Sequence, residues 1–143
     1  MYLTGCYPGA YTCDNFQDVA ALKLEPHFAD YVREAFKPLG VYLNFWQPEA
    51  PANSVRRSSV MMVKDAYAPS KGKLALTLDR AEEQVTRQDV AFALPGLGQQ
   101  TYVIDLQMPH TAGLCTSKAA AYAEGQSEPT VSRRRVTIQA SGK

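Results

Sequence analysis

The chain has 143 residues and a formal charge of +1, from 15 Lys plus Arg against 14 Asp plus Glu; apolar residues make up 45% and aromatics 10%. This is a globular composition, not a disordered or collagen-like one, and the length suits one domain able to bury a core. No apolar run approaches the ~20 residues that cross a bilayer. Met1-Tyr2-Leu3-Thr4 has no basic n-region, so no signal peptide or membrane segment is expected. The balanced charge argues against nucleic acid or an anionic membrane as the main partner.

Residues 1–24 read as irregular, with turn signals at Tyr7-Pro8-Gly9 and Asp14-Asn15. Tyr2, Tyr7, Tyr11 and Phe16 are a heavy aromatic load for a loop. A helix is predicted from Glu25 to Lys37, with Pro26 in its first turn, and Phe28, Tyr31, Val32, Ala35 and Phe36 make its apolar stripe. Pro38 and Gly40 end it.

The period then changes to two. Strands are expected at Val41–Trp46, Val55–Asp65, Lys73–Asp79, Val85–Leu94, Thr101–Met108, Cys115–Glu124 and Val131–Gln139. Gln47–Ser54, with Pro48, Pro51 and Asn53, reads as a loop; Ala66–Gly72, Arg80–Glu83, Pro95–Gly98, Pro109–Gly113 and Gly125–Pro129 are the other connections. Seven strands without interleaved helices predict a mostly β fold, an immunoglobulin-like antiparallel β-sandwich preceded by an irregular segment and one helix. The expected division is 1–39 as N-terminal loop and helix, 40–139 as sandwich, and 140–143 as a frayed tail. The inward set is Val41, Leu43, Phe45, Val60, Met62, Leu74, Leu76, Leu78, Phe92, Tyr102, Ile104, Leu106 and Val136.

Chemistry-bearing residues are sparse. Cys6, Cys13 and Cys115 are an odd set and read as free thiols; with only His27 and His110 beside them, no metal site and no cofactor is expected. Cys115 reads as a buried residue at the start of its strand. Asp14 and Asp18 could form a carboxylate pair on a turn, but both residue types also suit turn and cap chemistry. Arg133-Arg134-Arg135 alternates sides of a strand and reads as a solvated edge. No catalytic residue is assigned.

Three stretches carry a family likeness: Asp14-Asn15-Phe16-Gln17-Asp18-Val19, Leu22 to Tyr31, and Ala35 to Trp46. Val60 to Asp65, Gly72 to Leu78 and Gln100 to Leu106 continue it. The chain resembles the C-terminal part of bacterial glycoside hydrolases of family 2, the β-galactosidase and β-glucuronidase type, in which a catalytic barrel is followed by a sandwich. Those proteins are often periplasmic or secreted. The resemblance implies a non-catalytic accessory sandwich that contacts carbohydrate or docks to the catalytic barrel, and it sets Asp14 and Asn15 on a loop near the barrel mouth. The alternative is a small stand-alone hydrolase, of glycosidase or esterase type, with a site near the N-terminal segment or a dimer interface.

Sugar-binding sandwiches offer flat exposed rings beside hydrogen-bonding side chains. Tyr42, Asn44 and Trp46 share one face of the first strand, with Asp65 and Tyr67 at a strand end, so these are the candidate carbohydrate-binding residues. The same rings also suit packing against the helix. The apolar load of the first 37 residues points to a homodimer through the N-terminal segment.

Overall fold

The computed structural model describes residues 16–18, 20–44, 47–81 and 83–140, and it divides the chain into two compact units, Met1–Lys37 and Pro38–Lys143. Cys6, Cys13, Asp14, Asn15, Phe45, Trp46 and most of the N-terminal aromatics lie outside the described residues.

In the first unit, strands β1 (Phe16–Asp18) and β2 (Lys23–Leu24) form a small antiparallel pair within the segment expected to be irregular. Its turn is closed by Asp18, whose Oδ1 accepts from the Ala21 N–H at 3.1 Å, while Leu22 takes a left-handed φ of 50°. Turn chemistry is thus what Asp18 does. Helix α1 spans Phe28–Ala35, shorter than expected. Both of its ends tighten into three-residue turns: Phe28 N–H donates to the Glu25 carbonyl at 3.0 Å, and Lys37 N–H to the Glu34 carbonyl at 3.4 Å. The Glu25 carboxylate also accepts from His27 N–H at 2.8 Å, satisfying one of the free donors of the helix start.

The second unit is a β-sandwich. Its strands are β3 (Leu39–Asn44), β4 (Glu49–Pro51), β5 (Val55–Lys64), β6 (Ser70–Arg80), β7 (Glu83–Leu94), β8 (Gln99–Gln107), β9 (Gly113–Ala123) and β10 (Thr130–Gln139). One sheet has the order β3-β5-β8; the other has the order β4-β10-β9-β6-β7. Every pairing is antiparallel except that of β4 with the end of β10. Strand β4 falls inside the stretch read as a loop. Its prolines hid it, but an edge strand tolerates a missing N–H, and Ala50 and Ala52 are buried there.

Of the expected inward set, Leu43, Val60, Met62, Leu74, Leu76, Leu78, Phe92, Ile104, Leu106 and Val136 are buried, and Val41 and Tyr102 pack partly against them. Leu39, Leu94, Met108, Cys115 and Ile138 join them, with Ala119, Ala121 and Ala123 of β9. The register explains the alanines. Leu74 lies opposite Ala121, Leu76 opposite Ala119 and Leu78 opposite Ser117, so large side chains on β6 fill the space that small ones on β9 leave.

Two close approaches depend on glycine. A Cβ on Gly72 would overlap the Tyr122 carbonyl oxygen where β6 meets β9, and one on Gly96 would overlap the Tyr67 carbonyl oxygen where two connections touch.

The basic run has a ladder partner on one side only, where Arg133, Arg134 and Arg135 pair with Lys118, Ser117 and Thr116 of β9. Strand β10 pairs with β9 from Thr130 to Ile138 and with β4 from Thr137 to Gln139. Along the rest of its outer side it approaches β3, where the Leu43 N–H donates to the Ser132 Oγ at 3.1 Å. That single side-chain bond satisfies a buried backbone donor at the seam between the sheets.

Candidate functional site

Tyr42 and Asn44 lie on the outward positions of β3, opposite Met61 and Ser59 of β5, and both are exposed. The guanidinium of Arg134 sits over the Tyr42 ring, 5.6 Å from its centroid, so one face of that ring is already occupied by a cation. Asp65 and Tyr67 follow β5 at one end of the sandwich. Tyr67 is 87% exposed, and its neighbour across the contact, Leu97, is 60% exposed. The residue paired with Tyr42 is four positions before Asp65, roughly 13 Å along the strand. The structure therefore separates the candidates into a ring on the sheet face and a ring at the sheet end.

A second feature escaped the sequence reading. The outer face of the five-stranded sheet carries an open groove of about 530 Å³, bordered by Lys71 and Lys73 of β6, Ala91 and Ala93 of β7, and Tyr122 and Glu124 at the end of β9. Lys71 pairs with Glu124 at 3.2 Å, and Lys73 with Asp89 at 3.6 Å. Asp89 also accepts from Arg87 at 2.8 Å. That hydrogen bond, with the Arg87 and Lys73 charges, holds the Asp89 carboxyl below its ordinary value, and the same bond raises the Arg87 guanidinium in turn.

The register places the rest of this face in rows. Next to Tyr122 and Lys73 come Val131, Ala120, Ala75 and Asp89; beyond them come Arg133, Lys118, Thr77 and Arg87. Ala75, Thr77 and Ala120 point outward yet are only 1%, 3% and 2% exposed, so the long side chains beside them shelter the sheet surface. Lys118 reaches Asp79 at 2.9 Å. The sequence signal for this face was present in β9. Leu114, Thr116, Lys118, Ala120 and Tyr122 are the alternate set to the buried Cys115, Ala119 and Ala121.

On the opposite sheet, Arg57 and Asp105 form a two-point pair, with hydrogen bonds of 2.9 and 3.0 Å across β5 and β8. The hydrogen bond holds the Asp105 carboxyl low and raises Arg57. Arg56 reaches the other way, donating to the carbonyls of Glu49 and Gln47 at 3.0 and 2.8 Å; burial lowers its guanidinium. Cys115 is a buried free thiol. Among the described residues no group of His, Cys, Asp and Glu is arranged to hold a metal ion, and no helix is long and apolar enough to cross a membrane.

No family model and no curated protein matches the chain. Solved structures share its fold. Spo0M, the sporulation control protein from Bacillus subtilis, aligns with a TM-score of 0.59 at 10% identity, over 74% of this chain and 51% of that one. A family 123 glycoside hydrolase from Clostridium perfringens aligns with a TM-score of 0.55 at 7% identity, over 73% of this chain and 28% of that one. A β-glucosidase from Listeria innocua aligns with a TM-score of 0.56 at 12% identity, over 72% of this chain and 16% of that one. The chain spans about half the length of Spo0M and smaller parts of the two hydrolases. At these identities the likeness shows a shared sandwich and nothing finer; the sandwich is a fold that large glycoside hydrolases and a sporulation protein both contain.

Proposed function

We propose that this chain is an accessory β-sandwich of a larger glycoside hydrolase of the family 2 type, contacting carbohydrate or docking a catalytic domain. The observation that carries the reading is where the fold recurs: the same sandwich aligns with 28% and 16% of the chains of two glycoside hydrolases, as a minor part of each. The residues from Asp14 to Trp46 add a likeness to the family 2 C-terminal region. The surface carboxylates supply further support. Asp79, Asp89, Asp105 and Glu124 are each held by a cation, and for Asp89 and Asp105 this favours the ionised form. Fixed charge pairs of this kind suit binding and packing better than proton transfer.

Neutral sugar contact on this reading uses Tyr67, two residues after Asp65, and the Tyr42 and Asn44 face of β3, with Trp46, which lies outside the described residues, as the further candidate ring. The test is affinity electrophoresis of the purified chain through gels containing neutral polysaccharides, run beside a panel of chromogenic glycosides and esters. Retardation without turnover, weakened by Tyr67→Ala, is the expected result. Turnover that survives repurification would overturn the reading.

A further inference from the structure

We propose that two copies of this chain associate through β7, which pairs antiparallel with β7 of the second copy, Val90 opposite Val90, and joins the two five-stranded sheets into one. This association is independent of what the chain binds.

The edge is open and regular. Among the described residues β7 is paired with β6 alone, at one end of its sheet, and β8, which follows it, belongs to the other sheet. An edge strand presents a row of unpaired backbone N–H and C=O groups, and proteins blunt such a row with Pro, Lys, a bulge or very short strands. At the opposite edge, β4 is a three-residue strand that ends in Pro51. From Thr86 to Leu94, β7 has none of these devices: it runs in unbroken register with β6, from Leu78 opposite Thr86 to Ser70 opposite Leu94. The register shift lies just outside, between Leu78 and Asp79. The regular segment is therefore centred on Val90.

The side chains are self-complementary about that centre. A two-fold axis at Val90 sets residues equally far before and after it opposite each other. On the outer face, Asp89 of one copy then meets Ala91 of the other, and Arg87 meets Ala93. Long side chains face methyl groups, the same fit that Leu74 and Leu76 make with Ala121 and Ala119 inside the sheet. The room for them is present: Ala91 and Ala93 are exposed and border the groove of about 530 Å³. Charge agrees with shape. Lys73 shares a row with Ala91, and its ammonium already reaches β7 to hold Asp89 at 3.6 Å, so Asp89 of the second copy enters beside a cation. Arg87 of the second copy enters over Ala93, in the row where Lys71 is already held by Glu124 at 3.2 Å. On the inner face Val90, which packs partly against the core, meets its own copy. Other symmetric registers are worse. Centring on Arg87 or on Asp89 sets like charges directly opposite, which destabilises a sheet, and centring on Gln88 runs into the register shift soon after Thr86.

The test is the solution mass of the full chain by light scattering at micromolar concentration, where a dimer is expected. Ala91→Glu puts a carboxylate against Asp89 of the second copy and should halve the mass. Adding Asp89→Lys makes the facing charges opposite and should restore the dimer. Val90→Cys should link the two copies on air oxidation, read by peptide mass spectrometry so that Cys6, Cys13 and Cys115 are not mistaken for the link. Gln88→Cys, which faces Phe92 of the second copy, should not link. Circular dichroism checks that Ala91→Glu is folded; if it is not, the two cysteine variants decide. A monomeric wild type, a dimer that survives in folded Ala91→Glu as one formed through the N-terminal segment would, or linkage at position 88 in place of 90 would overturn the proposal.

Discussion

Replacing Leu76 by Ala tests the assignment of the inner face. Leu76 is fully buried at the middle of β6, and its neighbours on that face are Ala119 of β9 and Gln88 of β7. A Leu→Ala change in a core costs about 2–5 kcal/mol, and the value rises with the void that remains. The β9 neighbour is already small and cannot reach into the void, so a loss of about 3–5 kcal/mol is expected. At ~4–8 °C per kcal/mol for a domain of this size, the melting point should fall by at least ~12 °C. Urea unfolding followed by far-UV circular dichroism should show a lower midpoint with an unchanged slope. Val103→Ala is the control: this residue is 60% exposed on the outer face of β8 and should move stability by no more than about 0.5 kcal/mol. A loss below ~1 kcal/mol for Leu76→Ala, or equal losses for both variants, would refute the register of β6 and the side of the sheet that carries the core.

Three further outcomes follow from the structure. Ser132→Ala removes the acceptor of the buried Leu43 N–H and should cost about 1–3 kcal/mol in urea unfolding, whereas Ser132→Thr, which keeps a hydroxyl, should cost less. Gly72→Ala places a methyl against the Tyr122 carbonyl and should cost at least ~1–3 kcal/mol, with amide exchange of β6 and β9 accelerated more than that of β3 and β5. Asp105 should titrate below 3.8 in carboxyl NMR, because Arg57 stabilises its charge; Arg57→Gln should return it toward that value. Since the folded value is the lower one, any stability from this pair is present above the unfolded pKa and lost as pH falls through the folded one, and the exposure of both groups keeps it small.

Period-two alternation within a strand depends only on neighbouring residues, and for that reason β3, β5, β6 and β8 and most of their inward side chains were legible in the sequence. Pro95-Gly96-Leu97-Gly98 likewise declared its turn, and Cys115 its burial. What alternation cannot state is which strands meet. Ala119 and Ala121 are weak strand formers, and they are core residues because Leu76 and Leu74 of β6 stand beside them. Glu49–Pro51 is a strand because the end of β10 lies alongside it, a parallel pairing with a segment more than eighty positions away. Arg133 looked like one member of a solvated triplet. Pairing of β10 with β9 set it opposite Lys118, in one row with Arg87 from a strand two places further across the sheet, while Arg134 turned away toward Tyr42. The local sequence determined which residues form strands and which face of each is apolar, because those follow from contacts within a few residues. The Ser132 seam and the alanine strand exist only through pairings between distant segments, and only the tertiary structure could decide them.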